Sequence, residues 1–219
     1  MSKSRQLDAL IFDMGNVLID WTPERLVRYF GADETQVRHI AHVLFHSDAW
    51  KKLDLGIIGE DEVIEGVCAN LSKDLHPLVN TLVKRWPEAN VIDDRMEKLA
   101  RRLQKNGIRL YLGSNASLRF HTYKHTIGAL AYFDGIQISA DIKLSKPNPA
   151  FYETLVESYG LSPHRTGFID DLAVNCASAT ALGMKSHHYT GDFVALVDWL
   201  VAQGALASET TVEEILQVE

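Results

Sequence analysis

Apolar residues run from Leu7 to Phe12 with Asp8 as the one interruption, and the run stops at Asp13 and Gly15. A short apolar run of this kind predicts a buried strand. Similar runs at Ile108–Gly113, Ile136–Ser139, Thr166–Asp170 and Met184–Tyr189 predict four more, after a first strand over Ala9–Asp13. Between them the period changes. Asp94–Asn106 places Met96, Leu99, Ala100 and Leu103 on one helical face, and Gly107 stops it. Pro149–Tyr159 and Leu172–Leu182 follow the same pattern. Strands alternating with helices imply a doubly wound α/β fold, a parallel sheet with helices on both faces and right-handed crossovers.

One stretch breaks the alternation. From Thr22 to Trp86 every signal is helical. Thr22-Pro23 reads as a cap followed by proline in the first turn, and Gly31 closes that helix. Asp33-x-x-Gln36 predicts a capping box ahead of Val37, Ile40, Ala41 and Leu44. Ser47 would cap a helix through Leu55 that Gly56 stops, with further helices over Gly59–Leu71 and Leu75–Trp86. The expected organisation is a core made of residues 1–21 and 87–219, with residues 22–86 inserted as an α-helical cap over the strand ends. The tail, Ser208–Glu219, sets Val212, Ile215 and Leu216 at helical spacing for a short docking helix.

Composition narrows the picture little. A chain of 219 residues supports one substantial core and a small accessory domain. The net charge of −7 argues against a nucleic-acid or anionic-membrane partner. It leaves an anionic substrate open, because a bound cation reverses the local sign. The first residues carry no long apolar stretch, so no signal peptide is expected, and no run reaches the length of a spanning helix. Cys68 and Cys176 sit far apart in helical patterns and read as buried free thiols of a cytoplasmic protein.

The polar residues at the strand ends carry the chemistry. In open α/β sheets ligands bind at the carboxyl ends of the strands. Asp13 ends the first strand; Leu112-Gly113-Ser114-Asn115 ends the second with a hydroxyl and an amide. Lys146-Pro147-Asn148-Pro149 supplies a cation before a helix. Ile169-Asp170-Asp171 ends another strand in paired acids, with Asn175 five positions after Asp170. Adjacent acids repel unless a cation lies between them, and with Asp13 they make an oxygen-rich site suited to magnesium. Lys146 and the Ser114 hydroxyl match the remaining oxygens of a phosphoryl group. Alone, each motif is ordinary turn, loop or helix-cap chemistry. Together they describe phosphoryl transfer through an aspartyl-phosphate.

The four elements, in this order, resemble the haloacid dehalogenase superfamily of hydrolases over roughly Leu7 to Tyr189. The resemblance implies a Rossmann-like core, a helical cap over 22–86, Mg²⁺ as cofactor and a small phosphorylated metabolite as substrate, with the chain a monomer or homodimer. Residue by residue it implies Asp13 as the phosphorylated nucleophile and Asp13, the Gly15 carbonyl and Asp170 as metal ligands. Ser114, with Asn115 beside it, and Lys146 would hold the phosphoryl group; Asp171 and Asn175 would support the metal and the lysine. Phe-Asp-Met-Gly-Asn-Val followed by Leu18-Ile19-Asp20 is also similar to a branch with bacterial phosphatases of α-D-glucose 1-phosphate, and Trp50–Glu62 adds to that likeness.

One position departs from the family pattern. Its phosphatases carry a general acid two residues after the nucleophile, and here that residue is Gly15. General acid–base catalysis is typically worth about 10²–10⁴-fold. Three readings follow: a good leaving group, a proton from Asp20 or a cap histidine such as His46, or another reaction. The family's 2-haloacid dehalogenases also lack this acid, but they need no metal, so the paired acids favour the phosphatase. A non-catalytic phosphate-binding or regulatory protein is the remaining alternative. His121 and His125, four apart on an expected helix, read as a surface or partly packed pair. His39, His42, His46 and His187-His188 read as structural or solvated. Phe45, His46, Trp50 and Lys51 are the cap residues expected to face substrate.

Overall fold

The computed structural model describes residues 6–217; Met1–Arg5 of the expected core, and Val218 and Glu219 of the expected tail helix, lie outside the described residues. Strands β1 (Ala9–Phe12) and β2 (Ile19–Asp20) come first. Five helices follow without a strand between them: α1 (Pro23–Tyr29), α2 (Glu34–Phe45), α3 (Asp48–Asp54), α4 (Glu60–Cys68) and α5 (His76–Arg85). The alternating part resumes with β3 (Val91–Ile92), α6 (Asp94–Lys105), β4 (Arg109–Ser114), α7 (Phe120–Tyr123), β5 (Gly135–Ile138) and α8 (Ser139–Ile142). It ends with α9 (Pro149–Tyr159), β6 (Thr166–Asp170), α10 (Ala173–Ala181), β7 (Lys185–His188), α11 (Phe193–Ala202) and α12 (Val212–Leu216).

The sheet has the order β5-β4-β1-β6-β7, and every pair in it is parallel. β1 lies at the centre, with all four residues buried. Its side chains alternate as a pleated strand requires. Leu10 and Phe12 point to the face that α6 and α11 cover with Met96, Leu99, Leu103, Leu196 and Leu200. Ala9 and Ile11 point to the opposite face, covered by Phe151, Tyr152 and Leu155 of α9 and by Cys176 and Ala179 of α10. This is the expected doubly wound arrangement. The chain leaves β1 toward β4 and β5 on one side and returns to β6 and β7 on the other. The carboxyl ends of β4, β1 and β6 therefore stand side by side at the point where the winding reverses, which is where such sheets bind ligands.

The helical stretch forms through its local signals. Asp33 Oδ1 accepts from Gln36 N at 3.0 Å while Gln36 Oε1 accepts from Asp33 N at 3.2 Å, the expected reciprocal box. Ser47 Oγ accepts from Trp50 N at 2.9 Å, and α3 ends just before Gly56, at φ +60°. α4 is shorter than expected, stopping at Cys68 rather than Leu71, where Asn70 Nδ2 bonds back to Gly66 O. Val37, Ile40, Leu44, Val63, Val67, Val79 and Leu82 join one buried cluster that continues into the α6 and α11 side of the sheet. Ile215 of α12 is fully buried and Lys98 donates to Leu216 O, so the tail helix docks.

The structure adds one element and changes two further expectations. β2 and β3, two residues each, pair antiparallel at the two chain crossings that flank the helices, with Ile19 opposite Ile92. Two-residue strands leave no period to read. The segment after β4 makes only one turn of α-helix, Phe120–Tyr123, before 3₁₀ turns, so His121 and His125 share no helix. Cys68 is half-buried, whereas Cys176 is buried; both are free.

Gly167 of β6 tests the packing of the sheet. A Cβ there would lie 2.5 Å from Leu10 Cδ2 and 3.0 Å from Leu7 Cδ1. Overpacking of this kind costs typically about 1–3 kcal/mol. Gly167→Ala is expected to lower the urea unfolding free energy by that amount with an unchanged m-value.

Candidate active site

Asp13 follows the last residue of β1, and its N–H donates to Ile169 O at 2.8 Å, which carries the pairing with β6 one step further. Its carboxylate meets Lys146, with Oδ1 2.8 Å from Nζ. The same ammonium lies 2.7 Å from Asp170 Oδ2 at the end of β6. Lys146 and Asp170 are fully buried and Asp13 nearly so. Burial alone pulls the Lys146 ammonium down; the charges of Asp13 and Asp170 outweigh it and hold the pKa above the ordinary lysine value. Burial and the Asp13 charge push the Asp170 carboxyl up to about 6, against the pull of Lys146.

The surrounding groups hold this triad. Asp170 Oδ1 accepts from Leu172 N–H and from Asn175 Nδ2, both at 2.9 Å. Asn175 thus supports the lysine through Asp170. Asn115 donates from Nδ2 to Lys146 O at 3.0 Å and accepts at Oδ1 from Lys146 N at 2.8 Å. One Nδ2 hydrogen and the Oδ1 of that amide bond the lysine's main chain, so Asn115 clamps the lysine. Ser114, the last residue of β4, is buried beside it. Asn16 takes φ +54° and joins the turn to β6, donating from Nδ2 to Asp171 Oδ2 at 2.9 Å. Burial raises the Asp171 pKa, Asn16 lowers it, and Asp13 raises it further.

Asp13, Asp170 and Asp171 present carboxylate oxygens all within 4.8 Å of one another. Hard oxygen donors at such spacing suit a small divalent cation such as magnesium. The donor chemistry fits the expected ion, with Gly15 in the adjoining turn.

Above these residues is a cavity of about 330 Å³, lined from the sheet side by Asp13, Gly15, Ser114, Asn115, Asp171 and Asn175. From the helical side come Phe45, His46, Trp50 and Asp54, with Trp21, Trp86 and Tyr123 closing the walls. The rings brace each other: Trp21–Trp86 centroids are 4.7 Å apart, Phe45–Trp50 4.6 Å and Trp86–Tyr123 5.1 Å. Of the expected substrate-facing residues, Phe45, His46 and Trp50 line the cavity. Lys51 instead pairs with Asp48 at the surface. Asp20 is also elsewhere: it pairs with Arg25 at 2.8 Å and lines a separate hollow. Trp21, Asp54, Trp86 and Tyr123 went unnoticed as lining groups in the sequence. Trp21 follows a two-residue strand, and Asp54 follows Trp50 by one helical turn, a spacing that puts both on one face.

The haloacid dehalogenase-like hydrolase profile matches residues 7–183, and the chain belongs to that family. It is 28% identical over 192 residues to the sesquiterpene phosphatase astK of Aspergillus oryzae, covering 87% of this chain and 93% of that one. It is 24% identical over 186 residues to flavin mononucleotide hydrolase 1 of Arabidopsis thaliana, covering 84% of this chain and 73% of that one. A family enzyme of Bacteroides thetaiotaomicron, solved with magnesium and inorganic phosphate, superposes with a TM-score of 0.67 at 24% identity, over 87% of this chain and 98% of that one. That likeness concerns the fold. Among the described residues no helix is long and apolar enough to cross a membrane.

Removing one member of a buried ion cluster leaves uncompensated charge and costs about 3–5 kcal/mol. Lys146→Met is expected to lose that much stability at neutral pH in magnesium-free buffer. The carboxyls, released from the cation, rise in pKa and are neutral in acid, so the loss shrinks near about pH 5. Urea unfolding at the two pH values measures both effects.

Proposed function

We propose that the chain is a magnesium-dependent phosphomonoesterase that works through a phosphorylated Asp13. The observation that carries this reading is the placement of Asp13. Its carboxylate lines the cavity, oriented by Lys146, with two further acids in reach. A 2-haloacid dehalogenase would have no use for that acidic cluster, which argues against the alternative reaction.

In the first step an Asp13 carboxylate oxygen attacks phosphorus and the ester P–O bond breaks, releasing the alcohol. Water then attacks the aspartyl-phosphate, the bond from phosphorus to Asp13 breaks, and phosphate leaves. Lys146 keeps the attacking oxygen in place, and its charge stays close to the transferring group. The Ser114 hydroxyl donates to a phosphoryl oxygen. Asp13, Asp170 and the Gly15 carbonyl would hold magnesium, with Asp171 behind them, and the ion supplies neutralisation of phosphoryl charge. Asn115 and Asn175 fix Lys146 and Asp170. Residues 22–86 act as the cap that supplies the wall for the alcohol. The free thiols fit a cytoplasmic enzyme acting on a small phosphorylated metabolite.

The walls choose the alcohol. A sugar needs a hydrogen-bonding partner for each hydroxyl, and the aromatic walls offer few. Met14, Trp21, Phe45, Trp50, Trp86 and Tyr123 favour an apolar group instead. The name of one curated relative, a sesquiterpene phosphatase, agrees with a bulky apolar alcohol.

Phosphate release is expected only with magnesium, and Asp13→Asn is expected to reduce it to background; substantial turnover by that variant would overturn the nucleophile assignment. Among n-alkyl phosphates, each methylene buried is worth about 0.8 kcal/mol, or about fourfold in kcat/KM, until the cavity fills. Glucose 1-phosphate should be the poorer substrate. Trp86→Ala should flatten the chain-length dependence, and a preference for the sugar phosphate would reverse the reading of the walls.

A further inference from the structure

Gly15 leaves the reaction without an acid at its usual place, and the structure gives a steric reason. A Cβ at Gly15 would lie 3.3 Å from Trp21 Cβ and 3.5 Å from Trp21 Cγ. Trp21 cannot easily move aside. Its N–H donates to Asn16 Oδ1 at 2.9 Å, and its ring lies edge-on against Trp86 and Phe45. A side chain at position 15 would therefore fit only tightly against Trp21.

We propose that Asp54, at the end of α3, is the general acid and then the general base for the Asp13 reaction. The proposal rests on the phosphatase reading above. Three observations carry it. Asp54 lines the same cavity as Asp13 and Ser114. The Ser117 backbone N–H, three residues after the hydroxyl that would hold the phosphoryl group, and the Trp50 side chain are near enough to its carboxyl to pull its pKa down. Its main chain is pinned to the core as well, because Ser139 Oγ donates to Asp54 O while accepting from Ala116 N. Lys143 Nζ donates to Gly56 O at 2.7 Å, and Arg119 pairs with Glu60, so this end of α3 is fixed to the sheet side.

The surroundings set the proton. Burial pushes the Asp54 carboxyl up to about 8, with the Ser117 and Trp50 donors pulling the other way. At neutral pH it carries a proton to give. The titratable groups around it are few: Tyr123, itself raised by burial and by the Asp54 charge, and His46, Asp13 and Asp171 across the cavity. Lys143 and the Arg119–Glu60 pair lie behind it, each engaged with a partner. When the ester P–O bond breaks, the Asp54 proton goes to the leaving oxygen and the alcohol departs neutral. The Asp54 carboxylate then takes a proton from the water that attacks the aspartyl-phosphate. The enzyme returns to its starting state.

The test compares an alkyl phosphate, whose alcohol leaves poorly without a proton, with p-nitrophenyl phosphate, whose phenolate leaves unaided. Asp54→Asn is expected to lower kcat/KM for the alkyl ester by about 10²–10⁴-fold and to affect the aryl ester far less. The wild type should lose alkyl-ester activity as pH rises through about 8, and the variant should lack that limb. Equal losses on both esters, or an alkaline limb that survives in the variant, would overturn the role. Should the variant fail to fold, the wild type decides alone. Its rate should depend weakly on alcohol acidity near about pH 6 and steeply near about pH 9. The same dependence at both would refute the assignment. A wild type that released phosphate from neither ester would remove the phosphatase reading, and this role with it.

Discussion

A single buried ammonium organises the site. Lys146 lies between carboxylates from two different strands, 2.8 Å from Asp13 and 2.7 Å from Asp170, with almost no water around any of them. None of the three charges would be tolerated there alone, since a buried ion must be paired and hydrogen-bonded to offset its lost hydration. The pairing therefore needs the ends of β1 and β6 to meet and the lysine loop to reach both. Asn115 fixes that loop by bonding both its N–H and its carbonyl, and so brings the end of β4 into the same arrangement. Asn175 and the first turn of α10 take the other Asp170 oxygen.

The order of strands follows from the same requirement. The three elements that must touch are neighbours, β4-β1-β6, at the centre of the sheet, where burial on both faces is greatest. An edge strand would not serve. β7, with the polar sequence Lys185-Ser186-His187-His188, carries its exposed residues at the edge and contributes nothing to the triad. The Asp13 carboxylate is thus held by the most deeply buried part of the fold. Phe45, His46, Trp50 and Asp54, on the other side of the cavity, come instead from the helical stretch between two short crossing strands.

What was legible in the sequence was what obeys a period or a local rule. Asp13, Ser114 and Asp170 stand where apolar runs end, and the Asp33–Gln36 box formed as written. Asn115 reads only as a polar residue after Ser114. That its amide clamps Lys146 depends on a contact across 31 positions of chain. Asp54 is one acid among many in helical sequence; it becomes unusual only because α3 packs its last turn onto Ser117 and Ser139. The aromatic walls gather residues from four distant places in the chain, Trp21, Phe45 with Trp50, Trp86, and Tyr123. The expected helix at His121 stops at Tyr123, short of His125, because two histidines at helical spacing say nothing of where the turn stops.

These placements explain why the departure at Gly15 is consistent with the rest of the molecule. An acid beside the nucleophile would add a fourth carboxyl to Asp13, Asp170 and Asp171, where one lysine already balances two. It would also compete with Trp21 for the space that makes the wall apolar. Moving the acid to α3 removes both conflicts. Its carboxyl lies among rings rather than beside the acidic cluster, and the same apolar surroundings that would bind an apolar alcohol keep the proton on Asp54. Selection of the alcohol and protonation of its oxygen then depend on one surface of the insertion, while attack on phosphorus depends on the sheet.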